Sequence, residues 1–402
     1  MRLTNADIRI FNFKFSFASL LWFSLPCVGA LVKIRLGYGS IGDFLVYRKV
    51  FWHTIHQVNL YKNYPFENLG SYLYGPLFGV LIAPFELVSI NVGAFLWAVF
   101  NAALLFFAIR KLPFFRKNQN AILLICVFEM LTSIQNMEVN CVVAAMMLLS
   151  FTYVKEEKDF WAAFFIAFGF LIKLYGVVGI VFILFSNHRT RFAFSLVFWL
   201  ALLFCLPMLI SSLSFVVQSY VDWFHALMVK DDLNRTSMMQ NLSVMGMARH
   251  FITSEYLNSF VISIAALFYL FPLFRFDQLK QKGFQLTYFC LALIGVVIFS
   301  SSAESPTYII AMAGVAIWFV IQNPKTRFNI FLLAFALLIT SLSPTDLFPR
   351  YIRQNLIQPY SLKALPCFVI WLFIVFQLLT KKSFGESDST DYPEETNAQI
   401  SK

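Results

Sequence analysis

Residues 92–134 read VGAFLWAVFNAALLFFAIRKLPFFRKNQNAILLICVFEMLTSI, and this stretch decides the class of fold. Two apolar runs, 92–109 and 121–134, flank a short segment rich in Arg and Lys. A helix needs about 20 apolar residues to cross ~30 Å of hydrocarbon. Short basic loops between such helices are typical of the cytoplasmic side of a membrane. The stretch therefore predicts two membrane-spanning helices joined by a cytoplasmic loop.

Composition extends this prediction to almost the whole chain. The 402 residues are 59% hydrophobic and 13% charged, whereas soluble domains carry about 25% charged residues. This excludes an ordinary soluble protein. The net charge of +10 comes from short loops between apolar runs, so it does not indicate nucleic-acid binding. All six cysteines lie in or beside apolar runs without the spacing of a zinc site, so neither disulfides nor a structural zinc site is predicted.

Thirteen apolar runs are candidates for membrane spans, and one of them decides the topology. The run 73–90 holds two prolines and Glu86, which suit a lipid-facing span poorly. If this run does not cross and the N-terminus is inside, most of the 31 Lys and Arg residues fall in cytoplasmic segments. We therefore predict an all-α polytopic membrane protein with about twelve transmembrane helices and both termini cytoplasmic. The runs are 15–32, 73–90, 92–109, 121–134, 139–154, 160–173, 175–187, 192–213, 257–274, 284–301, 305–321, 328–343 and 365–380.

The predicted organisation is one transmembrane domain, residues 1–382, followed by a disordered acidic cytoplasmic tail, 383–402. Run 15–32 lacks a convincing cleavage site and is predicted to be the first retained span. Two large outward segments follow from the topology, 33–91 and 214–256. In the first, apolar residues recur at helical spacing after Gly42, against a polar face that includes His53. This pattern predicts an interfacial helix.

Asp43 stands at the start of that helix and has two compatible interpretations. Asp is a favoured N-cap residue, so its side chain could simply cap the first turn of the helix. It could also be a carboxylate at the mouth of a cavity. Further along, Gln135, Asn136 and Glu138 crowd a turn between two short runs. They form either a solvated turn or a polar floor for a hydroxyl-rich ligand.

Cations and amides complete the candidate site. Lys173 interrupts the apolar stretch 165–184, where it either snorkels to the outer surface or meets a phosphate. Asn241 lies in a polar stretch that leads to Arg249, which suits either an anion or interfacial anchoring. The predicted orientation places all these residues on the outer side. A carboxylate, a polar turn and cations facing one outer cavity would suit transfer from a lipid phosphate.

Several of these segments resemble glycosyltransferase family 87, membrane enzymes of the GT-C class that use polyprenyl-phosphate sugars. The likeness lies in GDFLVY at 42–47, YGPLF at 74–78, the turn at 135–140, the stretch around Lys173, and ESPTY at 304–308. Three positions depart from the family pattern. Gly75 replaces the first proline of YPP, Ile134 stands where a glycine would precede Gln135, and the histidine expected near Tyr308 is absent.

The resemblance implies a GT-C-like fold and an inverting glycosyltransferase, mannosyltransferase-like, on the extracytoplasmic face. Asp43 would then be the base that activates the acceptor hydroxyl. The implied partners are a polyprenyl-phosphate sugar, a glycolipid or glycan acceptor, and the lipid of a bacterial plasma or inner membrane. No cofactor beyond the lipid-linked donor is predicted, and metal dependence stays open. The substrate-binding residues predicted with Asp43 are Gln135, Asn136, Glu138, Lys173, Asn241 and Arg249.

Two other functions remain open from the sequence. A secondary transporter or lipid flippase would place ionisable residues and broken helices at the bilayer midplane, where Glu129 and Lys173 are the candidates. A non-catalytic assembly subunit is the third possibility. The outer position of both residues in their runs and the lack of an internal repeat favour the transferase.

Overall fold

The fold is known from a computed structural model, which describes residues 7–10, 13–67, 70–236 and 241–384. The predicted disordered tail lies outside these residues from position 385 onward. One antiparallel hairpin precedes the first helix, with β1 (Asp7–Ile10) paired to β2 (Phe13–Ser16). The prediction of an all-α chain missed this hairpin. Everything else described is helical or loop.

Sixteen α-helices follow one another within the described residues. They are α1 (Phe17–Arg35), α2 (Gly42–Ile55), α3 (Phe78–Glu86), α4 (Ile90–Lys111), α5 (Arg116–Gln135), α6 (Asn140–Lys155), α7 (Asp159–Ile172), α8 (Arg189–Cys205), α9 (Leu213–Thr236), α10 (Val244–Ala248), α11 (Leu257–Leu270), α12 (Lys282–Ile298), α13 (Tyr308–Ile321), α14 (Arg327–Phe335), α15 (Arg350–Ile352) and α16 (Leu365–Thr380). A long 3₁₀ segment, Leu174–Phe185, separates α7 from α8.

Each of the twelve predicted spans falls on a helical segment. Five helical segments within the described chain are long and apolar enough to cross a membrane alone, and the other predicted spans are shorter or more polar. The number of crossings therefore stays a prediction. The rejected run 73–90 contains only the nine-residue α3. At 1.5 Å per residue α3 is ~13 Å long, too short to cross the hydrocarbon core. The five long segments are Phe17–Arg35, Ile90–Lys111, Arg189–Leu209, Leu257–Phe274 and Leu362–Thr380.

Helix α7 ends abruptly before Lys173, which explains the two short apolar runs on either side of this residue. Lys173 is extended, with φ −147° and ψ 127°, between the end of α7 and the 3₁₀ segment. Gly176 then folds back against α7. A Cβ at Gly176 would lie 2.4 Å from the Phe170 nitrogen, so only glycine allows this approach.

The two segments predicted to face outward contact each other. The segment 214–256 was expected to be a loop, but most of it is α9, a helix of 24 residues. The Asn59 side chain donates to Asp222 Oδ2 at 2.7 Å, and the Trp223 indole donates to the Leu73 carbonyl at 2.9 Å. These contacts fix α9 over the loop between α2 and α3.

In the described chain, helices α6 and α13 lie at the centre of the core. Nearly every residue of both is buried, so neighbouring helices surround them on all faces. The segments that enter them carry polar side chains: Glu138 precedes α6, and Glu304 and Ser305 precede α13. Because the two helices pack together, these entry segments lie close to one another. This packing positions the site described next.

Candidate active site

Asp43 faces a cavity of about 260 Å³. Helix α2 begins at Gly42 with Ile41 as its N-cap residue, and the Asp43 side chain hydrogen-bonds to none of the described residues. The N-cap interpretation of Asp43 is therefore wrong. The remaining residues around the cavity come from distant parts of the chain. They are Asn136, Glu138, Leu242, Glu304, Ser305, Pro306, Ser343, Pro344, Ile357, Gln358 and Lys363.

The cavity changes the acidity of Asp43. Its side chain is exposed, but the exposed surface faces a cavity walled by protein, where an ion is less well hydrated than in bulk water. This desolvation, together with the nearby carboxyls of Glu138 and Glu304, raises the pKa of Asp43 to about 7. A carboxyl with such a pKa can take up a proton near neutral pH, as a general base must.

Glu138 is held by two tyrosines. Its Oε2 accepts from the Tyr74 hydroxyl at 2.5 Å and from the Tyr47 hydroxyl at 3.4 Å. The Tyr47 hydroxyl lies 3.2 Å from that of Tyr74. Burial, followed by the charge of Glu138, raises the pKa of both tyrosines well above the ordinary value. Both phenols therefore stay protonated and act as donors, so they fix the carboxyl in one position.

Local geometry in the turn after α5 directs Glu138 toward the cavity. Met137 adopts a left-handed conformation, with φ 55°. The Met137 N–H then bonds to the Ile134 carbonyl, and the Glu138 N–H to the Ser133 carbonyl. Asn136 and Glu138 of this turn both line the cavity, so the turn forms a polar part of its wall. Gln135 instead packs beside Gly29 of α1 and is not a lining residue.

Lys173 lies behind this wall. Its ammonium group donates to Asn140 Oδ1 at 2.7 Å and lies over the ring of Tyr175, 4.8 Å from the centroid. Asn140 in turn donates to Glu138 Oε2 at 3.5 Å. Lys173 thus neither snorkels outward nor lines the cavity. It supports the Glu138 wall through Asn140.

A third carboxylate and a cation face the cavity from the segments that precede α13 and α16. Glu304 lies 3.5 Å from the Lys230 ammonium group. Desolvation, with the charge of Glu138, raises the pKa of Glu304 despite the opposing lysines. Lys363, from the short turn before α16, donates to Ser305 Oγ at 2.8 Å and to both Glu129 oxygens at 2.9 and 3.1 Å. The only cation lining the cavity within the described chain is therefore Lys363.

Asn241 and Arg249 lie away from the cavity. Asn241 is fully buried and accepts from Ser243 Oγ at 2.5 Å. Arg249 donates to the Asn234 carbonyl at 2.9 Å and to the Asn258 side chain at 2.8 Å. These bonds tie the ends of α9, α10 and α11 together. The neighbouring Leu242 does line the cavity, so both residues bear on its wall indirectly.

The glycine at position 75, where the family pattern has proline, has a structural reason. The Gly75 N–H donates to the Ile172 carbonyl at 3.1 Å, a bond that proline cannot make. A Cβ at position 75 would lie 1.9 Å from the Leu171 carbonyl oxygen. Glycine is therefore required where this loop crosses the end of α7, immediately beside Tyr74 and Lys173.

Comparison with known proteins identifies the family. The model of glycosyltransferase family 87 matches residues 72–301, more than half of the chain. The chain belongs to glycosyltransferase family 87. No curated protein matches the chain. In this family 87 chain, Tyr74, Glu138 and Lys173 lie inside the matched region, whereas Asp43 and Lys363 lie outside it.

Membership of this family makes the protein a glycosyltransferase, and its chain is rich in apolar helices. Among the described residues, no group of three or more His, Cys, Asp or Glu side chains is placed to hold a metal ion. Asp231 and Asp232 lie in α9, where Asp231 accepts a hydrogen bond from the Ser301 hydroxyl.

Sequence reasoning missed two parts of the site. The sequence pattern does not single out Lys363, and it indicates Glu129 only as an intramembrane carboxylate of a possible transporter. Each is a charge beside or inside an apolar run, which is costly unless it is paired. That cost was the available signal that the two residues would meet. No comparable signal predicted that Tyr47 and Tyr74 donate to Glu138, although both tyrosines lie in stretches singled out by the resemblance.

Proposed function

We propose that this protein transfers a sugar from a polyprenyl-phosphate donor to an acceptor hydroxyl, with inversion at the anomeric carbon. The observation that carries the proposal is the position of Asp43. It lines one cavity with a lysine, and its pKa is raised to about 7. A base and a cation on one cavity are what a single displacement at a glycosyl phosphate requires.

Asp43 is the base in this proposal. Its carboxylate takes the proton of the acceptor hydroxyl as the acceptor oxygen bonds to the anomeric carbon. The bond between that carbon and the phosphate oxygen breaks, and polyprenyl phosphate leaves with the electron pair. Phosphate is a good leaving group, so general-base help to the acceptor is the principal contribution, worth roughly 10²–10⁴-fold. One displacement with no glycosyl-enzyme intermediate inverts the anomeric centre.

Lys363 and Ser305 are the groups proposed to meet the phosphate. They are hydrogen-bonded to each other and both line the cavity. A cation and a hydroxyl already in position stabilise the charge that develops on the departing phosphate. Glu129 shares the lysine charge, which keeps Lys363 in place when no phosphate is present.

The remaining predicted residues take two kinds of role. Asn136 and Glu138 line the cavity, so we propose that they bind sugar hydroxyls. Lys173 acts through Asn140 on the position of Glu138. Gln135, Asn241 and Arg249 bond or pack within the protein, so we propose that they maintain the walls instead of touching substrate.

The topology belongs to the same proposal. We infer twelve spans in a GT-C-like domain, residues 1–382, with the cavity on the extracytoplasmic face of a cell membrane and both termini in the cytoplasm. The distribution of Lys and Arg supports this orientation. A mannose-like hexose is the proposed sugar, and a glycolipid or glycan the proposed acceptor.

Transport is the alternative function, and the buried Glu129–Lys363 pair is the feature that suits it. Membership of family 87 favours transfer. The test is incubation of the purified full-length protein with a panel of polyprenyl-phosphate sugars and glycolipid acceptors. Transfer with release of polyprenyl phosphate is expected from wild type and not from Asp43→Asn. Movement of intact polyprenyl-phosphate sugar across proteoliposomes without any transfer would instead support transport.

A further inference from the structure

A second cavity lies on the other side of helix α2. It measures about 490 Å³ and shares no lining residue with the first, among the residues that the structure describes. Gly42, Leu45 and Lys49 follow one another at helical spacing and line it, whereas Asp43 and Tyr47 on the opposite face belong to the active site. One helix therefore separates two sites. The other lining residues are Tyr38, Gly39, Arg48, Pro65, Phe66, Glu67, Glu86 and Ile90.

The second cavity lies at the level of a membrane surface. It is enclosed by the turn that leaves α1 and by Ile90, the first residue of α4. Both α1 and α4 are long and apolar enough to span a membrane. Large apolar side chains are exposed around it, at Leu36, Tyr38 and Phe66. The end of a span with exposed aromatic and aliphatic groups is where lipid headgroups meet a protein.

Two cations line this cavity, and their hydrogen-bonding capacity is not fully used within the described chain. Arg48 pairs with Glu86, which also accepts from the Trp52 indole at 2.6 Å. The Arg48 Nη2 donates to the Glu86 carbonyl, but its Nη1 is buried with no hydrogen-bond partner in the described chain. Glu67 hydrogen-bonds to the ring of His53 at 3.0 Å, and His53 is buried, which corrects the prediction that it lies on a polar face. Lys49 has no ion pair within the described residues. Both carboxylates thus have partners, and a guanidinium nitrogen of Arg48 and the Lys49 ammonium group remain free to donate to a ligand.

The backbone adds donors at the same place. Residues 37–42 read GYGSIG and lead into α2, a helix of 14 residues. Gly37 has φ +96°, which makes the tight turn, and a Cβ at Gly39 or Gly42 would meet only open space. Helix N-termini present unpaired N–H groups and a positive dipole end to anions, and glycine lets an anion approach the backbone closely.

We propose that this cavity binds the phosphate headgroup of an anionic membrane lipid. The guanidinium group of Arg48 and the ammonium group of Lys49 donate to the phosphate, and the glycine-rich 3₁₀ turn that runs into α2 leaves room for it. The exposed apolar rim accommodates the first carbons of the acyl chains. Because α2 carries Asp43 on its opposite face, a bound lipid would hold the helix that positions the proposed base.

The experiment is native mass spectrometry of the full-length protein in detergent, titrated with phosphatidylglycerol. Lys49→Gln removes one cation, and Gly39→Leu fills open space without removing any charge. Lys62→Gln is the matched control, because Lys62 is exposed on the same outer segment but does not line the cavity. Size-exclusion chromatography verifies folding of each variant. Diacylglycerol, which lacks the phosphate, and inorganic phosphate, which lacks the acyl chains, distinguish the parts of the ligand.

Phosphatidylglycerol is expected to bind wild type and Lys62→Gln equally. The apparent Kd should rise roughly tenfold for Lys49→Gln, the loss expected for one charge-assisted hydrogen bond, and at least as much for Gly39→Leu. Equal affinity in all four proteins would overturn the proposal. Equal retention of diacylglycerol would exclude phosphate recognition, and inorganic phosphate binding as tightly as the lipid would exclude a lipid site.

Discussion

The Nζ atom of Lys363 lies 2.9 Å from Oε1 of Glu129, although 234 residues separate the two in sequence. Both side chains are almost completely buried, at 3% and 0% exposure. The pair joins α5 to the turn before α16 at the candidate active-site cavity. A buried ion pair contributes little net stability over an apolar pair, but losing one partner strands a charge. Its position beside Ser305 is what makes a functional role testable.

The first prediction separates stability from activity at this pair. Lys363→Met should lower the free energy of unfolding by about 3–5 kcal/mol, because it leaves Glu129 buried and unpaired. The double variant Lys363→Met/Glu129→Leu should recover most of that stability. If Lys363 binds the phosphate, sugar transfer should remain impaired in both variants. Thermal unfolding and transfer assays in detergent measure the two effects. Recovery of transfer in the double variant would restrict the pair to a structural role.

The second prediction concerns Asp43 as the base. Asp43→Asn keeps the size of the side chain but cannot take a proton, so transfer should fall by at least ~10²-fold. Folding should be unaffected, because Asp43 caps no helix and has no hydrogen bond among the described residues. Asp277→Asn, at an exposed position outside the cavity, is the matched control. Near-normal transfer by Asp43→Asn at equal expression would move the role of base to Glu138 or Glu304.

The third prediction is the pH dependence of transfer. The Asp43 pKa is raised to about 7, and the base works in its ionised form. Values of kcat/KM should therefore rise with pH through about 7 and fall below it. Glu304→Gln removes a negative charge that raises this pKa, so the midpoint should move to lower pH. The shift should be partial, because desolvation is the largest cause. A midpoint that does not move in Glu304→Gln would contradict electrostatic contact between the two carboxyls.

The fourth prediction compares the two tyrosines on Glu138. Tyr74→Phe removes a bond of 2.5 Å to a carboxyl group and should cost about 1.5–3 kcal/mol of stability. Tyr47→Phe removes a contact of 3.4 Å and should cost under about 1 kcal/mol. The two substitutions are chemically identical, so each is the control for the other. Equal losses in denaturant unfolding would mean that the unequal contact distances do not reflect unequal bonds.

The fifth prediction tests the orientation of the membrane protein. Single cysteines replace Lys117, in the first turn of α5, and Thr253, between α10 and α11, both at exposed positions. The background lacks all six native cysteines, because Cys205 is exposed and Cys27 is partly exposed. Applied to intact cells, an impermeant thiol reagent should label the cysteine at 253 and spare the one at 117. The reverse pattern would place the active-site cavity on the cytoplasmic side.

The sequence determined the helical class of the fold and most of its elements. Apolar runs of helical length can be satisfied in a membrane only by helices, because their backbone groups find no water there. The same local logic located α2 after Gly42, the break at Lys173 and the failure of 73–90 to form a long helix. It also identified Asp43, Asn136 and Glu138 as polar groups whose positions needed an explanation. These inferences depend on neighbours within a few residues.

Only the tertiary structure decided which of these groups meet. Lys173 is linked to Glu138 by hydrogen bonds through Asn140. Arg249 forms its hydrogen bonds outside the cavity, whereas Lys363, from the turn before α16, lines it. Such pairings arise from the packing of α5, α6, α13 and α16, which depends on side-chain shape over long sequence separations. Hydropathy and charge counts carry no information about that packing. For this reason the sequence singled out Asp43, and only the tertiary structure showed which residues share its cavity.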